Sequence, residues 1–298
     1  MSSSGKALRF VPKISSLPRD GDVDRFRAEL AKLKRLVVLT GAGVSTESGI
    51  PDYRSPRAPG RSKPKPTTIQ EFLKSPEVRQ RYWARNFVAW PAFEATQPNQ
   101  THLALAEAEH AGHLHWLITQ NVDTLHHKAG SINVTELHGN SHVVKCLKCD
   151  ARLSRPYFQQ RMEELNPDWS AEAREIAPDG DVVIPEELIS QFKTPWCETC
   201  GPQEGIFKTD VVFFGDNVPK RVVEFCSQKV MESDGLLVLG SSLEVFSGFR
   251  FVRQTLEQGK PLFIVNIGPT RADPLCSTLN KLSCKCSDVV PTFFSPLN

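Results

Sequence analysis

Five residues, Leu36 to Thr40 (LVVLT), run without a polar break into Gly41-Ala42-Gly43. An alternating strand can leave one face in water. An unbroken apolar strand must be covered on both, which restricts the chain to a sheet sandwiched between helices, as parallel sheets are. Similar short apolar runs recur at 115–119, 210–214, 236–239 and 262–266, and helical periodicity occupies 22–34, 219–233 and 248–258. The pattern predicts an α/β fold, a Rossmann-like parallel sheet with helices on both faces. The large domain is expected to be discontinuous, over residues 20–60, 101–140 and 206–298. Two stretches break its rhythm and read as insertions that together make a small domain. Residues 61–100 pair a basic Pro-rich loop, GRSKPKP at 60–66, with a helical module that includes 78–90. Residues 141–205 carry four paired cysteines around a polar, turn-rich segment at 165–184, a zinc-binding module.

Charge and hydropathy exclude some partners. With a formal charge of +2 and no basic stripe, neither nucleic acid nor a membrane surface is an expected partner. Runs such as 235–240 are far too short to cross a bilayer. Residues 1–19 hold Lys6, Arg9, Lys13 and Arg19 among several serines and no acid. That composition suits an organellar transit segment and equally an ordinary solvated tail.

Gly41 and Gly43 would let backbone N–H groups approach a pyrophosphate. The redox dinucleotide fingerprint, however, places a small residue where Thr46 stands, and a ribose-binding acid about twenty residues on, where this chain has its basic loop. A plain tight turn explains the glycines equally well, and the departures argue against hydride transfer. After the run at 115–119 come Gln120, Asn121 and Asp123, polar groups at a strand's carboxyl end suited to a ribose or an amide; Asp123 would equally serve as a helix cap. His138, in Glu136-Leu137-His138-Gly139-Asn140, is a candidate general base, with His126, His127 and His142 as competitors. Gly240-Ser241-Ser242-Leu243-Glu244-Val245 and Asn266-Ile267-Gly268 follow two further strands and would complete a dinucleotide site. Cys146-x-x-Cys149 and Cys197-x-x-Cys200 offer four thiolates for one structural zinc, closed to substrate. The spacing between the pairs exceeds that of a usual zinc ribbon. Of the remaining cysteines, Cys286 near the end of the sheet is the one placed to meet a ligand.

Taken together, GAGVSTESGIPDYRS, TQNVDTLHHKAG, ELHGN, the two CxxC pairs, DVVFFGD, GSSLEV and VNIGPT resemble the sirtuins, the NAD-consuming protein deacylases, over roughly residues 30 to 290. Within that family, the stretches at 79–88, 166–173, 177–182 and 268–271 resemble the mitochondrial sirtuin-4 type. The resemblance implies an NAD co-substrate whose pyrophosphate lies on Ala42, Gly43 and the Ser241-Ser242 turn. Arg54 would reach the phosphates, and Asn121 and Asp123 would hold the nicotinamide ribose and carboxamide. Asp52, Tyr53 and Arg54 would lie on the loop covering the nicotinamide end. His138 would act as base on a ribose hydroxyl after the acyl oxygen of a modified lysine captures the ribosyl cation. The peptide would pair as an added strand between Phe214-Gly215, just beyond Val211, and Glu244-Val245. The spacing of Tyr82 and Arg85 matches the branch that removes acidic acyl groups, which implies a longer or dicarboxylic-type acyl pocket. Expected partners are acyl-lysine proteins, mitochondrial metabolic enzymes among them, in the mitochondrial matrix. Two other functions fit the same residues: a protein mono-ADP-ribosyltransferase, and a weakly active NAD sensor that binds metabolic enzymes.

Overall fold

The computed structural model describes residues 18–53, 66–172, 182–276 and 280–294 of the chain. Along it run α1 (Asp20–Leu30), β1 (Leu36–Thr40), α2 (Ile69–Lys74), α3 (Pro76–Ala95), α4 (Gln100–His110), β2 (Leu114–Thr119), α5 (Leu125–Lys128), β3 (Val134–Glu136), β4 (Gly139–Cys146), β5 (Arg152–Ser154) and α6 (Arg155–Leu165). Then follow α7 (Glu186–Ile189), α8 (Gly201–Glu204), β6 (Phe207–Val211), α9 (Lys220–Glu232), β7 (Gly235–Leu239), α10 (Phe246–Glu257), β8 (Leu262–Val265), β9 (Lys281–Leu282) and α11 (Cys286–Phe293). Among the described residues the larger sheet has the order β3-β2-β1-β7-β8-β9, every pairing parallel.

All five residues of β1 are buried, as its unbroken apolar run requires. Leu36 and Val38 face a core shared with Phe26, Leu105 and Phe293; Val37 and Leu39 face a second shared with Cys226, Phe251 and Val252. Helices therefore cover both faces, α1, α4 and α11 on one, α9 and α10 on the other. A third core, around Trp83, Phe158, Phe192 and Phe207, joins the helical module to the cysteine-bearing module.

The run at 210–214 corrects one expectation. It is not a strand of the parallel sheet: β6 ends at Val211 and pairs antiparallel with β4 in a separate sheet ordered β5-β4-β6. Residues 212–214 leave the ladder and turn along a cavity wall. The cysteine-bearing module thus begins with β4 at Gly139 and runs through β6, beyond the expected bounds at 141 and 205. Most of the basic tail and of the Pro-rich loop lies outside the described residues, as do 173–181.

Candidate active site

Four strands of the parallel sheet end in turns that meet at one place: β1 at Gly41, β2 at Gln120, β7 at Gly240 and β8 at Asn266. Carboxyl ends of parallel strands are where an open sheet presents ligands. A cavity of 1360 Å³ opens there and extends between the two sheets to Val211, Phe214 and Tyr82. It is lined by Gly41, Ala42, Gly43, Thr46, Asp52, Tyr53, Gln120, Asn121, Asp123, His138, Gly240, Ser241, Ser242, Asn266, Ile267, Gly268 and Cys286, and also by Gly215, Glu244 and Val245. Of the residues singled out in the sequence, Arg54 lies outside the described residues, and Arg85 is not on the wall. On α3 the cavity instead meets Tyr82 and Asn86, one residue further round the helix.

The glycine turn has a reason besides the ligand. A Cβ on Gly43 would lie 2.7 Å from the carbonyl oxygen of Gly240, and Gly240 itself has φ +59°. The Gly43 N–H donates to that carbonyl at 2.8 Å, stitching the β1 and β7 turns together. Thr46, wrong for a redox fingerprint, donates from Oγ1 to Gly43 O at 2.9 Å and closes the loop on itself. Among the described residues no long helix follows the turn directly. Two short 3-10 turns, Ala42–Val44 and Thr46–Ser48, lead to Gly49, whose φ of +95° turns the chain over the cavity.

Ser45, which the sequence reading passed over, is the hub of the polar network. It is fully buried, accepts from Asn121 Nδ2 at 3.0 Å and donates to Asp123 Oδ2 at 2.7 Å. Asn121 also donates to Gly41 O at 3.2 Å. Asp123 is not the N-cap of α5, a position held by Thr124 without a side-chain cap; it accepts from Leu125 N–H at 3.0 Å and forms part of the cavity wall. Burial raises the pKa of Asp123, opposed by those two hydrogen bonds. The thiol of Cys286 is likewise pushed far up by burial, which keeps it protonated and unreactive.

His138 bridges β3 and β4, with its ring open to the cavity. Its Nδ1 lies 2.9 Å from the Gln120 carbonyl oxygen, which only accepts. The proton therefore sits on Nδ1, and Nε2 carries the lone pair, accepting from Ser247 Oγ at 2.7 Å. Burial lowers the His138 pKa, opposed by the Gln120 carbonyl, so the neutral form of a base predominates at neutral pH. Among the competitors, His126 is buried against Thr40, and His142 packs on Trp90. The strand beside the site is braced by buried Lys208, whose Nζ donates to Thr209 O at 2.9 Å and to Val211 O, and lies 4.1 Å from the Phe213 ring centre.

The four cysteines converge. Their sulfur atoms all lie within 4.8 Å of one another, with Cys146 and Cys200 3.9 Å apart and Cys149 and Cys197 3.7 Å apart. A tetrahedral zinc with ~2.3 Å bonds to sulfur needs edges of about 3.8 Å, so the set fits that ion. Both pairs use the same turn: Asp150 N–H returns to Cys146 O and Gly201 N–H to Cys197 O, each from a positive φ.

The comparisons agree with this geometry. The Sir2 family model matches residues 41–247. A mitochondrial NAD-dependent protein lipoamidase, sirtuin-4, of Bos taurus is 50% identical over 285 residues, covering 95% of this chain and 88% of its own. An NAD-dependent protein deacylase of Drosophila melanogaster is 51% identical, covering 98% and 92%. Among solved structures, one described as Sir2Tm bound to a propionylated peptide superposes with a TM-score of 0.68 at 27% identity, over 90% of this chain and 95% of that one. The glycine turn, the histidine, the four thiols and the Gly240-Ser241-Ser242 turn all fall inside the matched span, and with half of its residues shared with relatives over nearly their whole length, the chain belongs to the Sir2 family, the sirtuins.

Proposed function

We propose that the cavity takes NAD and an acylated lysine side chain together, and that the chain is a protein-lysine deacylase of the sirtuin-4 type acting in mitochondria. NAD is the co-substrate, and the four thiolates would hold one structural zinc. The observation that carries the reading is the imidazole of His138, held by a backbone carbonyl in the one tautomer that turns a lone pair toward the cavity. When bound, NAD supplies a nicotinamide bond whose cleavage leaves a ribosyl cation for the acyl oxygen to capture. His138 Nε2 would then be the acceptor for a proton from a ribose hydroxyl, in the place where it now accepts from Ser247 Oγ. Ser45 and Gly41 take both amide hydrogens of Asn121, and Ser45 also holds Asp123, so the ribose and carboxamide would meet fixed oxygen acceptors already in place. The peptide would lie between Phe214-Gly215 and Glu244-Val245, where Phe214 and Val245 stand exposed at the cavity's edge. The reach of the cavity to Tyr82 and Asn86, with a relative named lipoamidase, supports a preference for acyl groups longer than acetyl, and we extend it to dicarboxylic-type groups.

Nicotinamide release over a panel of acetyl-, lipoyl- and glutaryl-lysine peptides tests the reading. Turnover is expected to vanish in His138→Tyr with the zinc content unchanged, and the wild-type rate to fall in acid only below the ordinary histidine range near ~6.5, because burial has lowered this pKa. Release of nicotinamide that depends on an acceptor protein carrying no acyl group would replace deacylation with ADP-ribosyl transfer.

A further inference from the structure

Behind the cavity wall stands a cation with no anion. Arg155, the first residue of α6, is wholly buried, and among the described residues no carboxylate pairs with it. Glu94 and Glu163 attract it only from beyond pairing distance. Its guanidinium lies 4.6 Å from the ring centre of Trp90 and 5.8 Å from that of Trp83. Burial pushes its pKa down to about 9, which still leaves it charged at neutral pH. A buried charge without a counter-ion is costly, and an apolar side chain could join α3 to α6 at less expense.

The guanidinium spends its hydrogen bonds chiefly on one residue. Nε and Nη2 donate to Asn86 Oδ1 at 3.0 and 2.9 Å, Nη2 also to the Asn86 carbonyl at 3.1 Å, and Nη1 to Gln159 Oε1 at 2.8 Å. A guanidinium has no acceptor, so the orientation of the Asn86 amide is decided: its oxygen faces Arg155 and its NH2 faces away. Asn86 is 8% exposed and lines the cavity beside Tyr82. Its amide nitrogen has no hydrogen-bond partner among the described residues. The Tyr82 hydroxyl, by contrast, already meets Thr209 Oγ1 at 2.6 Å.

We propose that Asn86, oriented by Arg155, reads the far end of the acyl chain and selects acyl groups that end in a carboxylate over neutral chains of the same length. The inference rests on the deacylase reading and deepens it. The two N–H bonds of Asn86 donate to the carboxylate. Arg155 never touches the acyl group; it holds the amide the right way round and adds an attraction that the surrounding indoles screen poorly. Asn86 is thus a specificity residue and Arg155 a positioning one, and neither takes part in the chemistry at His138.

Glutaryl-lysine and pentanoyl-lysine peptides share a five-carbon acyl chain and differ in the terminal carboxylate. The full-length, zinc-loaded protein should bind the glutaryl peptide more tightly by fluorescence polarisation and turn it over with the lower KM. Asn86→Asp is the decisive variant: it keeps an oxygen for Arg155 and adds an ion pair, so a merely structural role survives, while the donors are lost and the charge is cancelled. The preference for glutaryl over pentanoyl, read as the inverse ratio of KM values and as the ratio of binding affinities, is expected to fall about tenfold or more, with no drop in melting temperature. Arg155→Met should lower the same ratio. A ratio unchanged in a normally folded Asn86→Asp protein, or a wild type that prefers the pentanoyl peptide, overturns the proposal. Failure of the deacylase reading looks different: no peptide releases nicotinamide, and the binding ratio alone still decides the role of Asn86.

Discussion

Moving the protein from pH 7 to pH 5 is expected to cost about 2 kcal/mol of stability through His102 alone. This imidazole is fully buried behind Ser45. Its Nδ1 accepts from Asn99 N–H at 3.3 Å, so a second proton on the ring would point at another donor. Burial lowers its pKa to about 3. In the unfolded chain the group titrates near ~6.5, so at pH 5 the unfolded state holds a proton that the folded state refuses. A depressed histidine pKa means that stability falls as pH drops below the unfolded value, and goes on falling until the folded pKa near 3. Between pH 7 and 5 the difference in proton binding integrates to about 1.9 kcal/mol for one such group. His126, its ring centre 4.8 Å away, is pushed down by burial and by His102 and shifts stability in the same direction. Asp123 and Glu136, both raised chiefly by burial, act in the opposite direction, since the folded protein takes their protons first. The His102 contribution is therefore read by difference. Urea titrations at pH 7, 6 and 5 would compare the wild type with His102→Gln, which retains an acceptor and a donor at similar reach. The variant should be weaker at pH 7 by about 1 kcal/mol, yet lose about 2 kcal/mol less on acidification. Equal losses in the two proteins would refute the reasoning.

Two further perturbations probe other parts of the molecule. Cys149→Ser, or stripping with a strong chelator, should release one zinc per chain and lower the melting temperature by more than about 5 °C, as calorimetry with metal analysis would register. Gly43→Ala forces a methyl to within 2.7 Å of the Gly240 carbonyl, where only backbone can yield; a cost of about 1–3 kcal/mol is expected, together with loss of the thermal stabilisation that NAD confers. A normal NAD-induced shift in that variant would show that the two turns separate easily.

What could be read from the sequence was what depends on neighbours in the chain. The apolar runs gave away the strands of the parallel sheet because burial on both faces leaves no polar positions, and the two CxxC pairs announced a tetrahedral sulfur site because their spacing is that of a single turn. His138 emerged from its setting between a strand and a glycine. What escaped depends on contacts across the chain. Ser45 matters through Asn121 and Asp123, and Ser247 through His138, partners far away in sequence. The run at 210–214 was misassigned because an apolar strand does not declare which sheet it joins. Arg85 was singled out for its spacing from Tyr82, yet the cavity wall includes Asn86 and not Arg85, and the guanidinium that holds Asn86 comes from residue 155.

Gly139 has φ +78°, and a Cβ there would collide with the Asp210 carbonyl, so the chain turns sharply just after His138. On one side of that corner lies β3, fixed in the large sheet; on the other, β4 runs about 23 Å to Cys146, a corner of the sulfur cluster. At the corner itself the His138 carbonyl accepts from Val212 N–H at 2.7 Å, which fastens the turn to the segment that follows β6. One continuous strand thus ties a corner of the sulfur cluster to the residue next to His138, so the two sites share a single span of backbone.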